Sequence, residues 1–215
     1  DLKNKGFNFI SLDELYSILK SGKSARKKIV FTLDDGYKDN YVSAYPIFKK
    51  HNVPFTIYVS TSFPDQKAIL WWYILEDLII KEDSISLMNA QKFECITKSQ
   101  KEITFLKIRD IILKLGKENF IDNLSQLFNN YCIDWYSKSK EMAMSWDEVI
   151  ELSNYELCTI ASHTDNHLSL NKLSTSEVLN EIVTANKKLE LKTGKKIEHF
   201  AYPFGSQNEA SNREY

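Results

Sequence analysis

Residues Ile29-Val30-Phe31-Thr32-Leu33 form a short apolar, β-rich run that ends directly in Asp34, Asp35 and Gly36. A run of this length, closed by a turn signal, reads as a buried strand. Two carboxylates then stand at a strand's C-terminal end, where α/β enzymes gather their reacting groups. A second point of the same kind comes much later. His163-Thr164-Asp165-Asn166-His167 follows another strand-like run, Leu157 to Ala161. One carboxylate and two imidazoles make a three-ligand set for a divalent metal with a position left open, and the remaining carboxylate is free to act as a base.

The segments between these points alternate. Ser11-Leu12-Asp13-Glu14 is a capping box ahead of a helix that carries Leu15, Ile18 and Leu19 and stops near Gly22. The strand at 29–33 follows, then a helix around 41–51 in which Pro46 predicts a start or kink, then a strand over 54–60. This β-α-β order predicts parallel strands. From 64 to about 145 the character changes. Helix-period patterns such as Trp72, Leu75, Ile79 and Phe105, Ile108, Ile112 dominate, and the one strand-like piece lies near Phe93 to Ile96. We read this stretch as a helical insertion. The α/β pattern resumes with capping boxes at Ser145–Glu148 and Ser174–Glu177. The second opens a helix that ends at Gly194, and a last strand is expected at Phe200-Ala201-Tyr202.

Bulk properties exclude several classes. A net charge of −1 gives no electrostatic basis for capturing nucleic acid. The longest apolar stretch, Ala68 to Ile80, is interrupted by Glu76 and Asp77 and is too short to span a bilayer. The polar opening Asp1-Leu2-Lys3-Asn4-Lys5 does not read as a signal peptide. Cys95, Cys132 and Cys158 are odd in number and widely spaced, which argues against a disulfide framework and against a cysteine zinc site. Cys158 reads as a small buried hydrophobe, and free thiols point towards a reducing, cytoplasmic setting.

Each candidate has a plainer structural explanation. Asp34-Asp35-Gly36 on its own is an ordinary turn with acidic caps. A lone histidine is more often structural than a ligand. Two of the chain's four histidines spaced i, i+4 just past a strand shift the balance towards metal. Each imidazole then needs a partner for its second nitrogen, for which Asp165 and Asn166 are candidates. Trp71-Trp72-Tyr73 could be a sugar-stacking platform, but their place at the start of an amphipathic helix favours a packing role, as it does for Trp146.

Thr32-Leu33-Asp34-Asp35-Gly36 resembles the first motif of the polysaccharide deacetylases, carbohydrate esterases with a NodB homology domain. His163-Thr164-Asp165-Asn166-His167 resembles the second motif, and Ala201-Tyr202-Pro203-Phe204-Gly205 the third. Their order and spacing match together, and the resemblance covers residues 6–63 and 145–209. It implies one domain over 1–215 with an α/β fold: a distorted NodB-type (β/α) barrel, incomplete at its C-terminus, with the helical insertion at about 64–145.

By the same resemblance, Asp35, His163 and His167 hold a divalent ion, Zn²⁺ first, with Co²⁺ or Ni²⁺ as alternatives. Asp34 is the general base, and the Phe204 backbone N–H donates to the oxyanion. Tyr202 and Pro203 wall the substrate site, with Thr164 beside them or bonded within its loop. The implied substrate is an N-acetylated carbohydrate. A related C–N hydrolase acting on a non-sugar amide, or a non-catalytic protein that binds metal or glycan, are the alternatives. Two departures matter. Ala201 stands where many relatives carry an arginine that orients the base. The closing motifs, which supply a histidine general acid, have no match up to Tyr215, so the chain is expected to be a fragment whose acid lies beyond it, or to take its acid from elsewhere.

Overall fold

The computed structural model describes residues 1–88, 90–115 and 119–204. These fall into two compact units. One combines Asp1–Ala68 with the chain from Met142 onward, and the other is Ile69–Glu141.

The first unit is built on short parallel strands. β1 (Asn8–Phe9) pairs with β2 (Lys28–Ile29), and β3 (Phe31–Leu33), β4 (Phe55–Val59) and β7 (Cys158–Ser162) form a three-stranded sheet in the order β3-β4-β7. The run expected as one strand over 29–33 is therefore two. Ile29 pairs with Phe9 and Phe31 with Phe55, so the chain changes partner at Val30. The strands do not close into a barrel among the described residues. The expected strand at Phe200–Tyr202 is reduced to one parallel bridge, Ser162 to Phe200. It is held by Ser162 N–H to His199 C=O and Ala201 N–H to Ser162 C=O, each 3.0 Å.

Alternation along the sheet separates two faces. Phe31, Leu33, Phe55, Ile57, Val59, Cys158 and Ile160 share one apolar core with residues of three helices: Tyr45 and Phe48 of α2 (Tyr45–His51), Val149 and Leu152 of α7 (Trp146–Ser153), and Leu189 of α8 (Thr175–Thr193). Thr32, Thr56, Tyr58, Thr159 and Ala161 occupy the alternate register positions. Pro46 sits in the first turn of α2, directly after a single π-helical segment at Asn40–Ala44. A proline at the first turn removes no needed hydrogen bond, which is why the α-helix starts there. Both later capping boxes form, Ser145 with Glu148 and Ser174 with Glu177, whereas at Ser11 only the Glu14 N–H to Ser11 bond is present.

The second unit holds α3 (Trp71–Lys81), an antiparallel pair β5 (Ser84–Ser86) and β6 (Lys92–Glu94), α4 (Lys98–Ile112), α5 (Phe120–Leu127) and most of α6 (Ser137–Met142). Its own core gathers Leu75, Ile79, Ile85, Ile108, Ile112, Leu124, Phe128 and Trp135, with Trp71 packed against it. Among the described residues no helix is long and apolar enough to cross a membrane. Cys95 and Cys158 are buried, and all three cysteines are free.

Candidate metal centre

The ends of the three sheet strands are sewn together beyond the last regular pairs. The Asp35 carbonyl accepts from Ser60 N–H (3.1 Å) and the Val59 carbonyl from His163 N–H (3.1 Å). The Thr164 and Asp165 carbonyls accept from Thr61 and Ser62 N–H at 3.2 and 2.8 Å. The loops carrying the acidic and histidine motifs are thus fixed through the segment between them, Ser60–Ser62.

Asp34 and Asp35 diverge for a reason that alternation in an extended strand does not supply. Gly36 N–H donates to the Asp34 carbonyl (2.9 Å), and Asp35 between them has φ of 72°. This is a γ-turn of the rare, strained hand. It swings Asp35 towards the histidines and leaves Asp34 exposed. Gly36 has φ of 97°, and a Cβ there would meet Val59 Cγ1 at 3.3 Å. The motif's glycine is therefore required both by conformation and by space.

Asp35, His163 and His167 converge. Asp35 Oδ1 lies 3.3 Å from His163 Nε2 and 3.1 Å from His167 Nε2. Among the described residues this is the one cluster of three such groups, with ligand atoms all within 4.8 Å of one another. Burial by itself would raise the Asp35 carboxyl. Hydrogen-bonding and electrostatic interactions with His163 and His167 outweigh it, and hold the group well below the usual carboxylate range.

His163 is 2% exposed, and its Nδ1 lies 2.9 Å from the Ala201 carbonyl. A carbonyl only accepts, so Nδ1 carries a proton, and Nε2 is the nitrogen left to face Asp35 and to serve an ion. The partner of this ring is thus the backbone of the third motif, in place of the candidates Asp165 and Asn166. The donor set, its convergence and this fixed tautomer fit a divalent ion.

Thr164 is fully buried, and its Oγ1 accepts from His167 N–H at 3.0 Å, closing the histidine loop on itself. Thr164 and His167 have φ of 69° and 53°, and Phe204 has φ of 66°. Positive φ is a genuine outlier for a β-branched residue, and such strain gathers at functional sites. The Phe204 ring stands edge-on to His167 with centroids 4.7 Å apart. Tyr202 packs edge-on to Phe200 (5.0 Å) in a cluster with Leu170, Leu173 and Val178, and Pro203 is buried. Gly205 and the polar segment from Asn208 to Tyr215 lie outside the described residues.

Several supporting residues escaped the motif reading. Glu181 of α8, 5% exposed, accepts from Asn166 N–H (2.8 Å) and Asn166 Nδ2 (2.7 Å). Lys188 bridges Asp65 (2.8 Å) and Asp165 (2.7 Å). Asp165 also accepts from Thr61, and Asp65 from Trp146 Nε1 at 2.9 Å. A visible signal existed for Glu181. The other buried positions of α8 are Val178, Ala185 and Leu189, so the acid stands on an apolar stripe, where it must be paired.

The family model for polysaccharide deacetylase matches residues 21–215, and the chain belongs to that family. A stretch of 59 residues is 36% identical to YxkH of Bacillus subtilis (strain 168), covering 27% of this chain and 21% of that protein. Among solved structures, the Streptococcus pyogenes deacetylase PplD in complex with acetate is similar at a TM-score of 0.58 and 17% identity, over 99% of this chain and 61% of that one. The deacetylase domain of BpsB from Bordetella bronchiseptica is similar at a TM-score of 0.53 and 17% identity, over 99% and 69%. At these identities the structural likeness shows the fold. The chain spans about 61% of PplD and 21% of YxkH.

Proposed function

We propose that the chain carries the metal-dependent centre of a deacetylase that removes N-acetyl groups from a carbohydrate. The observation that supports this most directly is the sharing of Asp35 Oδ1 between the Nε2 atoms of His163 and His167. These three residues would hold the ion, zinc in first place. A divalent ion so held supplies Lewis acidity to an acetamide carbonyl and acidifies a water.

Asp34, exposed beside the ligand Asp35, takes the proton from the attacking water as general base. The Phe204 backbone N–H donates to the oxygen that becomes negative. Tyr202 and Pro203 wall the substrate side, and Thr164 serves by holding the histidine loop. The whole of 1–215 is read as one NodB-like domain with a helical insertion at about 64–145, a reading supported by the compact unit at Ile69–Glu141.

The test is zinc titration of the purified chain together with acetate release by the full-length protein from N-acetylated sugars and from small amides. About one ion per chain is expected, lost in Asp35→Ala and His163→Ala. Release should favour sugars, and Asp34→Asn should abolish it while zinc stays bound. Preference for small amides would move the reading to a related C–N hydrolase. A second reading, a metal- or glycan-binding protein without turnover, is favoured by Ala201. Among the described residues no hydrogen bond to the Asp34 carboxylate is recorded in compensation. Zinc binding without acetate release by the full-length protein would establish that reading.

A further inference from the structure

The histidine loop is strained at two of its five residues, Thr164 and His167. A strained loop keeps its shape only where its surroundings over-determine it. Part of that determination comes from the loop itself, through Thr164 Oγ1 and the His167 N–H. Part comes from Ser60–Ser62 and from Lys188 on Asp165. The residue between Asp165 and His167, Asn166, is held by Glu181. Its backbone N–H and its side-chain amide each donate to a different carboxylate oxygen, at 2.8 and 2.7 Å. Asn166 is itself exposed, whereas Glu181 is 5% exposed. An acid is seldom buried unless it is paired, and here the partners of its carboxylate are these two donors, while the Glu181 backbone carbonyl separately accepts from Asp165 N–H (3.1 Å). Two bonds to one residue fix its orientation as well as its position, and His167 is the next residue along the chain.

We propose that Glu181 is a positioning residue for the metal centre: its two-point grip on Asn166 sets the backbone from which His167 reaches Asp35. The inference rests on Asp35, His163 and His167 being the ligand set, and it adds a residue fifteen positions along the chain from Asn166 that touches neither ion nor substrate. Partners of this kind, behind the ligands, typically change metal affinity about 10–100-fold when removed. The grip is geometric, so the replacement matters. Glu181→Gln keeps a carbonyl for the Asn166 N–H and an amide for the turned Asn166 side chain. It preserves both bonds without the charge. Glu181→Ala removes both. Asn166→Ala removes the side-chain bond to Glu181, and with it a longer one from Asn166 Nδ2 to Asp165 (3.4 Å), at an exposed position that leaves the core untouched.

The experiment is the dissociation constant of zinc, measured by chelator competition on the whole 215-residue chain, with the melting temperature of each metal-free variant beside it. Wild type and Glu181→Gln are expected to bind within a few-fold of each other. Glu181→Ala is expected to bind about 10–100-fold more weakly, and Asn166→Ala to fall between. A merely structural role would lower the metal-free melting temperature of Glu181→Ala and leave Asn166→Ala at wild-type affinity. That result overturns the proposal, and so does wild-type affinity in Glu181→Ala. If Glu181→Ala does not fold, Asn166→Ala and Glu181→Gln decide. Asp35→Ala separates the two layers. If wild type binds zinc and Asp35→Ala does not, a failure at Glu181 is a failure of the positioning role alone. If Asp35→Ala still binds, or wild type does not bind at all, the ligand set itself has failed and the positioning role falls with it.

Discussion

Asp35, His163 and His167 were legible because their types and spacing are themselves the chemistry: a carboxylate at a strand end, and imidazoles at i, i+4 beyond another. What holds them was not. Asp35 reaches its place through a γ-turn, and a γ-turn leaves no sequence mark beyond the glycine that follows. The orienting group for His163 is a backbone carbonyl, at Ala201, and any residue there supplies one. Replacing Gly36 puts both effects of the turn to the test. Gly36→Ala places a Cβ at 3.3 Å from Val59 Cγ1, at φ of 97°. It is expected to cost about 1–3 kcal/mol in urea unfolding, because the strain cannot be relieved without moving backbone. Zinc affinity should fall with it, since Asp34 and Asp35 ride on the same turn. Unchanged unfolding in Gly36→Ala would show that the turn adapts.

At the scale of elements, the helices were read more accurately than the strands. Helix ends carry chemistry in their side chains. Ser145 and Ser174 bond the N–H groups of Glu148 and Glu177, as a capping box requires. Ser174→Ala should cost about 1 kcal/mol, seen as a lower urea midpoint. The strands are two to five residues long, too short for a period to stand out. Hence 29–33 divides between two partners, and the β5–β6 pair was foreseen only as a doubtful piece near Phe93.

The joint between α8 and the strand ends adds a pH dependence. Burial alone would raise the Asp65 carboxyl, but hydrogen bonds from Lys188 and from Trp146 outweigh it and hold it below its ordinary value of 3.8. A folded-state value below the unfolded one stabilises the fold at higher pH. That contribution is lost as pH falls below about 4, through the folded value. The pair is partly solvated, so its worth is about 1 kcal/mol or less. In urea unfolding followed from neutral pH downward, Lys188→Met should flatten this part of the acid loss. An unchanged acid slope would mean that the Lys188–Asp65 bond contributes nothing.

On the scale of the whole molecule, the change of character at 64–145 corresponds to a compact unit at Ile69–Glu141 with its own apolar core. Phe128, 2% exposed at the centre of that core, offers a direct check. Phe128→Ala should cost about 3–5 kcal/mol, with faster hydrogen exchange in α4 and α5. Every ligand of the candidate centre, and every hydrogen bond described around it, belongs to the other unit. Within that unit, α8 carries none of the three candidate ligands, yet Glu181 and Lys188 bond to the loop that carries two of them. Anyone transplanting this centre to a different scaffold would therefore have to carry more than three motifs. A graft of the acidic turn, the histidine loop and the Ala201 backbone would lack the helix that braces them, and the borrowed imidazoles would relax out of register.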